Sequence, residues 1–311
     1  GVLIICIFFM RRFDVCASDL VTNDETGVPD KALYQEILRN MDKSENDTFT
    51  KQEAASLESL DIEEKIQSFQ GIGVLSGLKS LYVSDSKLGN SQYETIATEL
   101  PQLESLSAIN NKITSLHALG NLKRLKWLNV CKNKLENLEG IEELTSLEEL
   151  HAGSNQIKKI SLSMELPKLK NLNLSYNQLT DVKGIERMHQ IEDLHLTYNQ
   201  LTNLKGIKKL KNLKELELSV NQLKNLKGIE NLKKLEWLYA EDNLLTSVKG
   251  IRNLKKLTYL RVQDNRLVNV DEVKYLKNIV RLGIDYNQIK KLPDLKGMKR
   301  LYSIGLYGNF L

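Results

Sequence analysis

The stretch Leu169 to Gln190 is LKNLNLSYNQLTDVKGIERMHQ, and its spacing decides the fold. Its first nine residues follow LxxLxLxxN. The same pattern returns as LKWLNVCKN, LEELHAGSN, IEDLHLTYN, LKELELSVN, LEWLYAEDN, LTYLRVQDN, IVRLGIDYN and LYSIGLYGN. The closing asparagine recurs at one fixed interval, at Asn111, Asn133, Asn155, Asn177, Asn199, Asn221, Asn243, Asn265, Asn287 and Asn309. Towards the N-terminus, LKSLYVSDS carries Ser86 at the asparagine place, and LESLDIEEK, from Leu57, is a degenerate copy.

Each place in the unit has a physical task. Alternating apolar residues such as Leu172 and Leu174 make a short strand with one face inward. The asparagine stands where the chain turns, and its side chain bonds backbone groups that a tight coil leaves unpaired. A second apolar pair follows, as in Leu201 and Leu204. Glycine then closes the turn at Gly140, Gly184, Gly206, Gly228 and Gly250, always at the same remove from the asparagine, where a turn or a close approach suits it. The next residue is isoleucine each time and plugs the core. A unit as short as Leu169 to Gln190 leaves room there only for a short 3₁₀ turn. No unit can bury its apolar face alone, so neighbours stack. The fold class is therefore an α/β repeat: a curved leucine-rich-repeat solenoid with a parallel concave sheet, an asparagine ladder and short convex turns. Two units depart from the pattern. The interval from Ser86 to Asn111 is longer than the others, with an insertion around Gly89 to Glu99, and the unit after Asn155 contains SLSMELP in place of the glycine turn. Both predict local bulges on the convex side.

The chain has 311 residues, 41% hydrophobic and 27% charged, with a net charge of +4. That balance does not argue for nucleic acid. Three cysteines, Cys6, Cys16 and Cys131, give neither a zinc spacing nor a disulfide framework. The motifs HExxH, GxSxG, the P-loop and GxGxxG after a strand are missing, so the chain is expected to be no enzyme.

Residues 1–17 have the pattern of a secretory signal. Gly1 to Met10 is apolar, and Val15-Cys16-Ala17 precedes Ser18 at the places a signal peptidase reads. Residues 18–27 link to a helical unit, 28–56, that caps the apolar end of the repeats at 57–311. Within it Pro29-Asp30 opens a helical pattern through Met41, with Leu33, Ile37 and Leu38 on one face, and a second helix starts at Thr50. The loop between them matches part of an EF-hand: Asp42, Ser44, Asn46, Thr48, Thr50 and Glu53 stand at positions 1, 3, 5, 7, 9 and 12. Position 6, which requires glycine, is Asp47, and Ser44 is a weak ligand. Capping is thus favoured over calcium, and no cofactor is expected. The chain stops in mid-repeat at Asn309-Phe310-Leu311, which predicts a longer protein with a C-terminal cap beyond this sequence.

Strand residues that do not point inward line the concave face. They include both tryptophans, Trp127 and Trp237. Tyr239, Tyr259 and Arg261 lie near Trp237, and Asp193, Glu215, Glu217 and Glu241 form an acidic group beside them. Large rings next to charge suit a protein-binding hot spot. His151 and His195 share this face two strands apart, about 9.6 Å at the sheet spacing, too far to share a metal. Lys205, Lys208, Lys209, Lys211, Lys224, Lys227, Lys233, Lys234, Lys255 and Lys256 fall on turn and convex places as a solvated face. Contact with an anionic cell wall or membrane surface is the alternative. Nucleic acid is disfavoured because no aromatics interleave with the lysines.

The unit LxxLxLxxNxLxxLxGIxxLxx resembles the short repeats shared by bacterial internalins and the leucine-rich regulatory subunit of protein phosphatase 1. The front end VPDKALYQEILRNMDKSENDTFTKQEAASLESLDI is similar to the EF-hand-like helical cap of internalins. That resemblance implies a secreted or cell-surface protein whose concave face binds a host or surface protein in adhesion or recognition. An uncapped apolar end is prone to association, so the array is expected to be a monomer once capped. The LKG-rich units differ from the Asp-Ile-Ser-Pro-Leu turn common in internalins, and LEWLYAEDNLL resembles the phosphatase regulators. A cytoplasmic scaffold that regulates an enzyme is the alternative.

Overall fold

The computed structural model describes residues 19–311. The stretch read as a secretory signal, residues 1–17, lies outside them, as do Cys6 and Cys16. The described chain opens with strand β1 (Leu20–Val21), helix α1 (Lys31–Asn40), strand β2 (Phe49–Thr50) and helix α2 (Lys51–Ser56). β1 and β2 pair antiparallel. Asp30 caps α1 by accepting from the Leu33 amide, and the helix buries Leu33, Tyr34, Ile37 and Leu38. Arg39 and Asn40 at its end both donate to the Asp61 carbonyl, tying α1 to the first repeat strand.

Twelve strands follow in one parallel sheet, in chain order. They are β3 (Ser59–Ile62), β4 (Ser80–Val83), β5 (Ser105–Ser107), β6 (Trp127–Asn129), β7 (Glu149–His151), β8 (Asn171–Asn173), β9 (Asp193–His195), β10 (Glu215–Glu217), β11 (Trp237–Tyr239), β12 (Tyr259–Arg261), β13 (Arg281–Gly283) and β14 (Ser303–Gly305). The central residue of each three-residue strand from Leu106 to Leu282 is fully or almost fully buried. Emptying one such site, as in Leu194→Ala, costs about 2–5 kcal/mol.

The ladder works as its spacing predicts. The Asn177 side chain is 8% exposed. Its Nδ2 donates to the carbonyls of Ala152, Leu174 and Ser175, and its Oδ1 accepts from the Ile157 amide at 2.9 Å. One side chain therefore binds its own turn and the preceding coil. The residue before each asparagine has positive φ, as in Tyr176 (57°), Tyr198 (56°), Val220 (56°) and Asp264 (52°). On the convex side, 3₁₀ turns such as Ile185–Arg187 and Ile229–Asn231 begin after the repeated glycine. At Gly184 (φ 102°) a side chain would strike the Ile160 carbonyl, so glycine is required there twice over.

One expectation is corrected. The insertion in the long unit is a ten-residue α-helix, α3 (Asn90–Glu99), and no mere bulge. It buries Tyr93, Ile96 and Ala97, and the Tyr93 ring meets Phe69 edge-on at 5.8 Å. The apolar spacing i, i+3, i+4 explains the helix: it gives the insertion a face to bury. The SLSMELP stretch forms bends without a regular element.

Candidate binding face on the concave sheet

The parallel register sets each concave residue beside its counterpart in the next coil. Two rows result. Glu149, Asn171, Asp193, Glu215, Trp237 and Tyr259 make one; His151, Asn173, His195, Glu217, Tyr239 and Arg261 make the other. Most of these side chains are half-buried by their neighbours, while Arg261 is exposed. At the N-terminal side of the rows Trp127 lies 6.4 Å from Tyr82 and 5.8 Å from His151, ring to ring. At the far side Arg261 stands over Tyr239 at 5.9 Å and Arg281 over Tyr259 at 5.7 Å, both cation–π contacts. Trp127 and Trp237 thus belong to separate aromatic groups, five strands or about 24 Å apart along the sheet.

The centre between them is polar and acidic. A hollow of about 230 Å³ is lined by Glu149, His151, Asn171, Asn173, Asp193, His195 and Glu215. The two histidines are each paired with a carboxylate. His151 Nε2 meets Glu149 Oε1 at 2.5 Å, and His195 Nδ1 meets Glu217 Oε2 at 2.8 Å. The hydrogen bond to Glu217 raises the His195 pKa against the cost of burial, and the charges of Glu217, Glu215 and Asp193 add to it. The same bond lowers the Glu217 pKa. Burial raises those of Asp193 and Glu215. With the Asn171 amide oriented to satisfy its neighbours, its nitrogen donates to Asp193 at 3.0 Å. The Glu215 carboxylate forms no hydrogen bond or ion pair among the described residues, while its backbone amide donates to the Glu192 carbonyl. Glu241 accepts from Ser219 Oγ at 2.6 Å and lies 3.7 Å from Arg261. Cys131 is half-buried, and burial pushes its thiol pKa up, which suppresses the thiolate a nucleophile would need.

Sequence reasoning sets the two histidines against each other and so misses how His195, Glu215 and Glu217 converge. The signal that could have found them is that His195 and Glu217 hold the same place in consecutive repeats. It also misses an aromatic rim. Tyr176 and Tyr198 stack at 4.4 Å with an interplanar angle of 11°, and Tyr286 meets Tyr307 at 5.2 Å. All four are exposed. Three of them immediately precede a ladder asparagine, as the triplets SYN, TYN and DYN show.

In the 42–53 loop, Glu53 is engaged at both oxygens. Oε1 pairs with Lys43 at 2.8 Å and Oε2 accepts the Thr50 amide, closing a capping box. Asp47 accepts the Ser44 amide. The convex and turn lysines named above are exposed. No helix of the described residues is long and apolar enough to cross a membrane.

A family profile described as leucine-rich repeats (2 copies) matches residues 145–187. A leucine-rich-repeat protein from Leptospira interrogans is similar over 83% of this chain and 74% of its own, with 30% identity and a TM-score of 0.66. The chain belongs to the leucine-rich-repeat proteins. An internalin from Listeria monocytogenes matches this leucine-rich-repeat chain over 95% of its length and 94% of the internalin's, with 23% identity and a TM-score of 0.73. At that identity the likeness is one of fold, and the fold is internalin-like. The ectodomain of a plant membrane receptor kinase from Arabidopsis thaliana, solved in complex with Casparian strip integrity factor 2, matches 84% of this chain and 34% of its own, with 23% identity and a TM-score of 0.64. No curated protein matches the sequence. A fold of this kind is that of a protein–protein interaction module.

Proposed function

We propose that this leucine-rich-repeat protein is a non-enzymatic recognition module that binds another protein across the concave face between β6 and β12, at or outside a bacterial cell surface. The observation that carries the reading is the pair of aromatic groups flanking a polar centre. Trp127, Trp237, Tyr239 and Tyr259 are only half-buried, Tyr82 beside Trp127 is exposed, and none of them fills the core. Rigid rings in that state gain most from a partner that completes their burial. The surface placement is supported by the internalin-like fold and by the signal pattern at residues 1–17.

Affinity capture tests the reading. Wild type, a Trp237→Ala/Tyr259→Ala variant and a convex Lys208→Ala/Lys233→Ala variant are compared on the same extracellular or host-cell extract. A protein retained by wild type and by the convex variant, and lost with the concave variant, is expected. Equal retention by all three overturns the proposed face.

A further inference from the structure

The acidic centre holds a feature that protein binding does not account for. His195 on β9 and Glu215 and Glu217 on β10 each offer one donor atom, and the three lie within 4.8 Å of one another. We propose that these side chains form a binding site for one divalent transition-metal ion of the zinc class.

The backbone builds the arrangement. His195 and Glu217 are register partners, and Glu215 shares their face two residues before Glu217. Zinc bonds of about 2.0–2.2 Å set tetrahedral donors about 3.4 Å apart, so the donors, which lie within 4.8 Å of one another, need draw together only slightly to hold an ion. One imidazole and two carboxylates suit zinc, manganese, iron(II) or cobalt, whereas calcium requires six or more oxygens. Three protein donors would leave a tetrahedral ion one position for water or a further ligand. Charge points the same way. Asp193, Glu215 and Glu217 surround a single imidazole, and neither Asp193 nor Glu215 forms an ion pair among the described residues. His195 Nδ1 already sits 2.8 Å from Glu217, in the place where a metal would bridge them. Metal entry replaces the shared proton, which passes to solvent. The His151–Glu149 pair two strands away provides an internal contrast. Its neighbours on β8 are Asn171 and Asn173, so it lacks the second carboxylate.

The site extends beyond the protein-binding reading and is tested without a partner. The chain is stripped with a chelator, then titrated with zinc by calorimetry and with cobalt by visible absorption. Binding of one ion per chain at this site is expected, with cobalt d–d bands of a low-coordinate site. His195→Gln and Glu215→Gln should each weaken binding by at least about tenfold, since even outer ligand changes cost that much. His151→Gln should leave it unchanged. Glu215→Gln keeps the test valid if other variants unfold, because that carboxylate makes no hydrogen bond among the described residues. No metal uptake by wild type, or uptake unaffected by Glu215→Gln, overturns the proposal.

Discussion

The ladder edge and the concave centre are built from the same repeats yet obey opposite rules. Along the ladder every asparagine from Asn111 to Asn287 is buried, and its amide is bonded on both ends, as Asn177 and Asn221 show. The position tolerates little because it answers to the backbone, which is alike in each coil. In the centre of the sheet each strand carries different residues, and some side chains stay unmatched among the described residues: the Glu215 carboxylate is unpaired and that of Asp193 has only the Asn171 amide. A protein gains no stability from half-buried carboxylates without a counter-charge. What differs between equivalent places in a repeat therefore points to what binds there, and what is constant points to what holds the coil together.

The comparison breaks most sharply at Asn177. Asn177→Ala strips three carbonyls and one amide of their partner and should cost about 3 kcal/mol or more. Urea unfolding checks this, and Glu215→Gln, measured in parallel, should lose no stability. A ladder asparagine that proves as dispensable as Glu215 would erase the distinction. A smaller effect of opposite sign is expected at Val220, a β-branched residue held at φ 56°. Left-handed backbone costs such a residue about 1–2 kcal/mol, and asparagine tolerates it better. Val220→Asn should thus raise the melting temperature. The smallest effect concerns Glu53, whose pKa is lowered chiefly by Lys43 and also by the Thr50 amide. Because its folded pKa is depressed, its contribution is present above the ordinary carboxylate value and disappears as pH falls through the depressed one. This exposed carboxylate is screened, so Glu53→Gln should cost only about 0.5 kcal/mol at neutral pH, shrinking towards zero in acid. Chemical denaturation from strong acid to neutral pH reads that window (about 4.3 is ordinary for glutamate).

Much of the fold was legible because every place in the coil is written several times over. The strands, the ladder and the convex glycine turns all follow from one unit such as Leu169–Gln190. Helix α3 was hidden by that regularity: NSQYETIATE is a helical pattern in itself, but it looked like an interruption to the repeat. The left-handed residues before each asparagine could not be read, since Lys132, Ser154, Tyr176 and Val220 share no composition that demands positive φ. The concave aromatics were legible by subtraction from the inward residues. Their division into two groups was not, because ring contacts such as Trp127 with Tyr82 run diagonally between strands that are not neighbours. The metal-type cluster needed a comparison between consecutive repeats at equal places, which alternation within one strand does not supply.

The most direct test of the concave face is the dissociation constant of the captured partner for Trp237→Ala against wild type, measured alongside each protein's urea midpoint. A loss of at least tenfold, about 1.4 kcal/mol, with the midpoint unchanged is the predicted result. Unchanged affinity, or a loss accompanied by an equal fall in stability, would contradict the account.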